Sequence, residues 1–73
     1  MEVFLDIMAN LFRGVEFNVV EDENDPESCI VYVNDSEVVE DEADCLYIID
    51  MASEYLGYPN VTVSYGTAED LYV

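Results

Sequence analysis

The chain contains no histidine, no lysine and no tryptophan, and Arg13 is the single cation among 73 residues. Without histidine, and with Cys29 and Cys45 far from Cys-x-x-Cys spacing, structural zinc, the usual nucleophile–base dyads and the commonest proton shuttle are excluded. Chemistry near neutral pH is left to carboxylates alone. Acid–base work needs two carboxyls in a cleft with their pKa values driven apart, and so short a chain has little room for a cleft. Glu42, the acid nearest an apolar helix face, is the one residue to consider, and a helix-start position with its head in solvent accounts for it. The chain is not expected to be an enzyme or to hold a cofactor. No apolar run approaches the roughly 18 residues that span a bilayer, and Met1-Glu2-Val3 has no basic leader, so a soluble cytoplasmic protein is expected. The scarcity of cations also argues against direct binding of DNA, RNA or a lipid headgroup, all of which would repel the chain.

Against that one cation stand eighteen carboxylates, for a formal charge of −17. Yet 52% of the residues are hydrophobic, with six Tyr and three Phe, which is too apolar for a solvated acidic tail. One folded domain spanning 1–73 is expected, near the lower size limit for a core without staples. The two cysteines read as free, buried thiols rather than a disulfide.

Three glycines and two prolines punctuate the pattern. Glu2 to Arg13 places Val3, Phe4, Leu5, Ile7, Met8, Leu11 and Phe12 on one broad helical arc, and Gly14 ends it. Val15 to Val19 alternates as a strand, and Cys29 to Val33 is a second β-branched and aromatic run. The polar stretch from Glu21 to Ser28, with Pro26, makes the pair a hairpin with a long acidic tip. A second helix follows Asn34, Asp35 or Ser36, with Asn34 and Glu37 at capping-box spacing, and runs to Leu56 before Gly57 and Pro59. At about 100° per residue, Cys45, Leu46, Ile49, Ala52 and Leu56 form its inner arc, while Glu40, Asp44, Asp50 and Glu54 point outward. Glu42 falls in the apolar arc, so the regular helix is expected to begin only around Asp41, with Val38-Val39 approaching in another conformation. Val61 to Tyr65 alternates as a half-exposed strand, Thr67 to Asp70 reads as a cap and short turn, and Leu71-Tyr72-Val73 is expected to return to the core. The resulting fold class is α+β in the order α-β-β-α-β, with two helices on one face of a three-stranded, mainly antiparallel sheet.

Self-repulsion at this charge density destabilises a compact state, so the charge calls for a reason outside the fold. Residues three or four apart on a helix place side chains about 5–6 Å apart, and duplex DNA presents a phosphate about every 3.4 Å per strand. Carboxylates at helical spacing therefore suit the Lys/Arg pockets of a nucleic-acid-binding protein. Glu37, Glu40, Asp41, Asp44, Asp50 and Glu54 would form one row, and Glu21, Asp22, Glu23, Asp25 and Glu27 a second cluster at the hairpin tip. Tyr47, Tyr55 and Tyr58 lie near these rows, where a ring can stack on arginine or anchor a contact.

In size, near-absence of Lys and Arg, and acids concentrated on a helix and a loop of a compact α/β pattern, the whole chain resembles the small acidic phage-encoded inhibitors that mimic DNA, including anti-CRISPR and anti-restriction proteins. The resemblance implies a viral protein that acts in the host cytoplasm, by protein–protein interaction, as a stoichiometric inhibitor. It would occupy the basic DNA-binding cleft of a nuclease complex such as a CRISPR-Cas effector or a restriction enzyme. Two readings compete with it: a salt-adapted acidic domain, and an acidic partner for some other basic protein. Asp22 to Glu27 is oxygen-rich like a calcium loop, but a loop beginning at Asp22 would need glutamate where Val33 stands, so no dedicated metal site is expected. The chain would be a monomer, or a dimer if an apolar face is left uncovered.

Overall fold

The computed structural model describes residues 2–66. Along the chain run helix α1 (Glu2–Leu11), strands β1 (Phe17–Glu21) and β2 (Ser28–Val33), helices α2 (Ser36–Glu40) and α3 (Glu42–Leu56), and strand β3 (Asn60–Tyr65). The α+β class and the expected order hold, with one extra short helix. The expected turn at Thr67 to Asp70 and the return of Leu71-Tyr72-Val73 lie outside the described residues.

The sheet order is β1-β2-β3. β1 and β2 form the expected antiparallel hairpin, with Phe17 opposite Val33 and Glu21 opposite Cys29. β3 lies parallel to β2, with Cys29 opposite Val61 and Val33 opposite Tyr65, so the sheet is mixed where a mainly antiparallel one was expected. The cause is the helical connection: α2 and α3 carry the chain from the end of β2 back to its start, and strands joined through such a crossover run the same way.

Alternation along β2 fixes which face is covered. Cys29, Val31 and Val33 are fully buried, while Ser28, Ile30 and Tyr32 between them are half-buried. Val31 and Val33 meet Phe4 and Met8 of α1, Val38 of α2, and Ile48 and Ala52 of α3 in one core. Each large side chain withdrawn from water there is worth about 1.5–3 kcal/mol. Phe12 and Phe17 close the corner between α1 and β1, their ring centroids 5.6 Å apart.

The apolar stripe of α1 is narrower than its sequence suggests, and β1 starts later. Of the broad α1 arc, Phe4 and Met8 are buried and Leu5, Ile7 and Phe12 pack against the core, but Val3 and Leu11 are more than half exposed. The helix ends at Leu11, and Gly14 takes a left-handed φ of 82° just beyond, so Arg13 lies outside it. β1 begins at Phe17 rather than Val15, although Val15 still packs on the core.

Candidate acidic interface

The expected row of helical acids is interrupted by a break in the chain's second helical region. α2 ends at Glu40, Asp41 takes an extended conformation (φ −80°, ψ 112°), and α3 starts at Glu42. A helix starting near Asp41 is therefore what the structure contains, but Val38-Val39, expected in another conformation, are themselves helical, in α2. Both starts are capped by aspartate. Asp35 Oδ1 accepts from the Glu37 N–H at 2.8 Å, and Asp41 Oδ1 accepts from the Asp44 N–H at 3.1 Å. Such a bond satisfies an N–H that the first helical turn leaves without a partner, and a negative cap also suits the positive helix end. Asn34, the other half of the suggested capping box, is used elsewhere: its Oδ1 accepts from the Glu16 N–H at 2.8 Å, tying β2's end to the entry of β1. Cys45 secures the break from the other side, its thiol donating to the Val39 carbonyl at 3.0 Å and lying 3.6 Å from that of Val38. Burial, with Asp41 and Asp44 nearby, pushes the Cys45 thiol pKa up.

The six acids proposed as one row therefore divide. Glu37 and Glu40 are exposed on α2, and Asp41 is committed to a cap. Asp44 is half-buried in the first turn of α3 and lies about 120° around the helix from Asp50. Asp50 and Glu54, one turn apart and both exposed, make the true outward stripe. Glu42, which the sequence placed in the apolar arc, is exposed in the first turn.

The phase of α3 brings Leu46, which was expected inside, onto that stripe beside the expected Tyr47. Ile48 and Ala52 are fully buried, whereas Leu46 is 54% and Tyr47 42% exposed. The run Leu46-Tyr47-Ile48-Ile49 is apolar around the whole helix, so periodicity alone does not fix which side faces the core. With Ile48 inward, Leu46 and Tyr47 stand one turn before Asp50 on the exposed side. Tyr55 is also exposed, near the end of the helix.

At the hairpin tip the five acids split into loop-builders and exposed groups. Asp22 Oδ1 accepts from the Asn24 N–H at 2.9 Å. Asp25 takes both the Glu27 N–H at 3.0 Å and the Ser28 hydroxyl at 2.8 Å. The Ser28 bond, then the Glu27 bond, hold the Asp25 carboxyl below its ordinary pKa. Backbone bonds from Asp22 to Ser28 and from Ser28 to Asp25 close the loop, and Asn60 N–H donates to the Glu27 carbonyl, fastening the tip to the start of β3. Glu23 and Glu27 are exposed. Glu21 faces the Tyr58 phenol, whose pKa is pushed up to about 12, chiefly by its hydrogen bond to that carboxylate. Tyr58 is half-buried at the base of the tip, and of the three tyrosines noted near the acids, Tyr47 and Tyr55 are the exposed ones.

Among the described residues no group of three or more Asp, Glu or Cys side chains is placed to hold a metal ion. Cys29 and Cys45 are both free thiols. No described helix is long and apolar enough to cross a membrane. Comparison with protein-family models, with curated proteins and with solved structures gives no match.

Proposed function

We propose that the protein is a stoichiometric inhibitor that presents carboxylates to the basic nucleic-acid-binding cleft of another protein, acting in the cytoplasm on a nuclease complex of the CRISPR-Cas effector or restriction type. The observation that carries this reading is the outer face of α3, where Asp50 and Glu54 adjoin the exposed Leu46 and Tyr47. A surface made acidic only for solubility gains nothing from an exposed leucine and tyrosine beside its charges. An interface gains both: the carboxylates steer and orient a basic partner, and the apolar pair supplies anchoring that charge alone does not. The hairpin tip adds a second, pre-shaped acidic element, because Asp22 and Asp25 spend their side chains on folding the loop that displays Glu23 and Glu27. A loop already ordered loses less entropy on binding than a mobile one.

The test is retention of a partner from a nuclease-containing lysate on the immobilised protein, with elution by stepped salt and by duplex DNA. A nucleic-acid-processing protein released by both is the expected result. A partner that DNA does not displace contradicts mimicry while leaving an acidic interaction in place, and absence of any retained partner contradicts both.

A further inference from the structure

We propose that the sheet face turned away from the helices is a self-association surface, on which two copies of this chain meet. Two residue rows define it. Val20, Ile30 and Thr62 are aligned across the three strands, and Asn18, Tyr32 and Ser64 are aligned beside them. None of the six belongs to the core or packs against it, and among the described residues the helices cover the opposite face.

What singles out a second copy as the occupant is where the charge is missing. In a chain of net charge −17, the three strands contain one carboxylate, Glu21, and its place opposite buried Cys29 puts it on the helix side. The outer face therefore carries no charge within its strands; the nearest acids in sequence, Glu16, Asp22 and Glu27, flank the two ends of β1 and the start of β2. A basic partner finds its complement on α3 and at the hairpin tip and has nothing to pair with here. Among the described residues, another copy of the chain meets no like charge on this face of the strands. Approach about a twofold axis sets Val20, Ile30 and Tyr32 against their counterparts, lets the amide and hydroxyl groups of Asn18, Thr62 and Ser64 pair, and leaves both α3 stripes pointing outward.

The size of the face sets the strength. Three strands at about 4.8 Å spacing and six residues at about 3.3 Å per residue cover roughly 14 by 20 Å. That is well short of the ~800 Å² per partner of a standard interface, so the dimer is weak and reversible. Salt gives a second signature. Screening relieves the repulsion between two polyanions, so the dimer tightens as salt rises, whereas the attraction of a basic cleft for α3 weakens.

Sedimentation equilibrium over a range of protein concentrations, at ionic strengths below and above ~0.15 M, tests the proposal. The expected result is a monomer–dimer equilibrium that shifts toward dimer with salt. Thr62→Glu, at an exposed position that tolerates a polar side chain, should weaken the dimer by about tenfold or more by setting like charges face to face, with an unchanged circular dichroism spectrum. Thr62→Val should strengthen it. A wild-type chain that is monomeric throughout overturns the proposal. A dimer indifferent to both Thr62 substitutions places self-association on another surface and overturns it equally.

Discussion

Asp41 stands at the break between α2 and α3, and its two simplest replacements should move stability apart. Asp41→Ala removes the acceptor that holds the Asp44 N–H at 3.1 Å. Loss of such a cap costs about 1 kcal/mol, within a range of roughly 0.5–2. Asp41→Asn keeps an acceptor of the same reach, and asparagine is as good a cap as aspartate. It also removes one charge from the consecutive acids Glu40, Asp41 and Glu42, with Asp44 close behind. That relief opposes the loss of a favourable charge at the helix start, an effect of about 0.3–1 kcal/mol. The two nearly offset, so Asp41→Asn should melt close to the wild type. Asp41→Ala should melt about 4–8 °C below Asp41→Asn, which is what ~1 kcal/mol means for a domain of this size. Thermal unfolding followed by circular dichroism at low salt reads the difference. Equal melting of the two variants would refute the cap, and with it the separation of α2 from α3 that divides the acidic row.

Three further outcomes follow from the same geometry. Ile48→Ala, which empties a fully buried position between helices and sheet, should cost about 2–5 kcal/mol, enough to leave a domain this small largely unfolded; urea titration measures it. Tyr58, with its pKa pushed up to about 12 by Glu21, should ionise well above the ordinary tyrosine value in an ultraviolet titration, and Glu21→Gln should bring it back toward 10. Because the folded value lies above the unfolded one, the stability Tyr58 contributes is complete below about pH 10 and is lost as pH rises toward 12. Cys29 and Cys45, both with pKa raised by burial and by neighbouring carboxylates, should react slowly with iodoacetamide in the native protein and rapidly once it is denatured, as mass spectrometry would show.

The fold was legible wherever one period was unambiguous. A β-branched and aromatic run marked β2 and alternation marked β3, each to within a residue, and Gly57, in the left-handed region at φ 78°, ended α3 where its sequence neighbours Leu56 and Pro59 indicated. Strand direction was available but indirect: two strands separated by a helical segment are joined by a crossover, and a crossover between neighbours makes them parallel. Periodicity along each strand is blind to that. The phase of α3 was hidden for a different reason. Four consecutive apolar residues from Leu46 to Ile49 satisfy an inner arc at several rotations, and only packing against Val38, Phe4 and Met8 selects Ile48. The same packing exposes Leu46 beside Tyr47; the tyrosine was legible near the acids, whereas Leu46 was the part of the candidate interface that pattern could not locate. Among the acids, charge was visible but duty was not: Asp22, Asp25, Asp35 and Asp41 look like Glu23 or Glu54 in sequence, yet each holds a backbone N–H. Short side chains next to a turn or a helix start are the ones that reach back to the main chain, and all four are aspartates.

That division of duties decides how mimicry is best tested. Reversing Asp41 would confound lost binding with a lost cap, whereas Asp50 and Glu54 are exposed on the regular part of α3 and can be reversed without disturbing the fold. The decisive measurement is the affinity of the Asp50→Lys/Glu54→Lys protein for the nucleic-acid-binding partner retained by the wild type, across a salt series and against competing duplex DNA. Weakening by several kcal/mol, with a shallower salt dependence and an unchanged circular dichroism spectrum, is predicted. Undiminished binding by that variant, and by one with Glu23 and Glu27 also reversed, would contradict the claim that these carboxylates stand in for a nucleic-acid backbone.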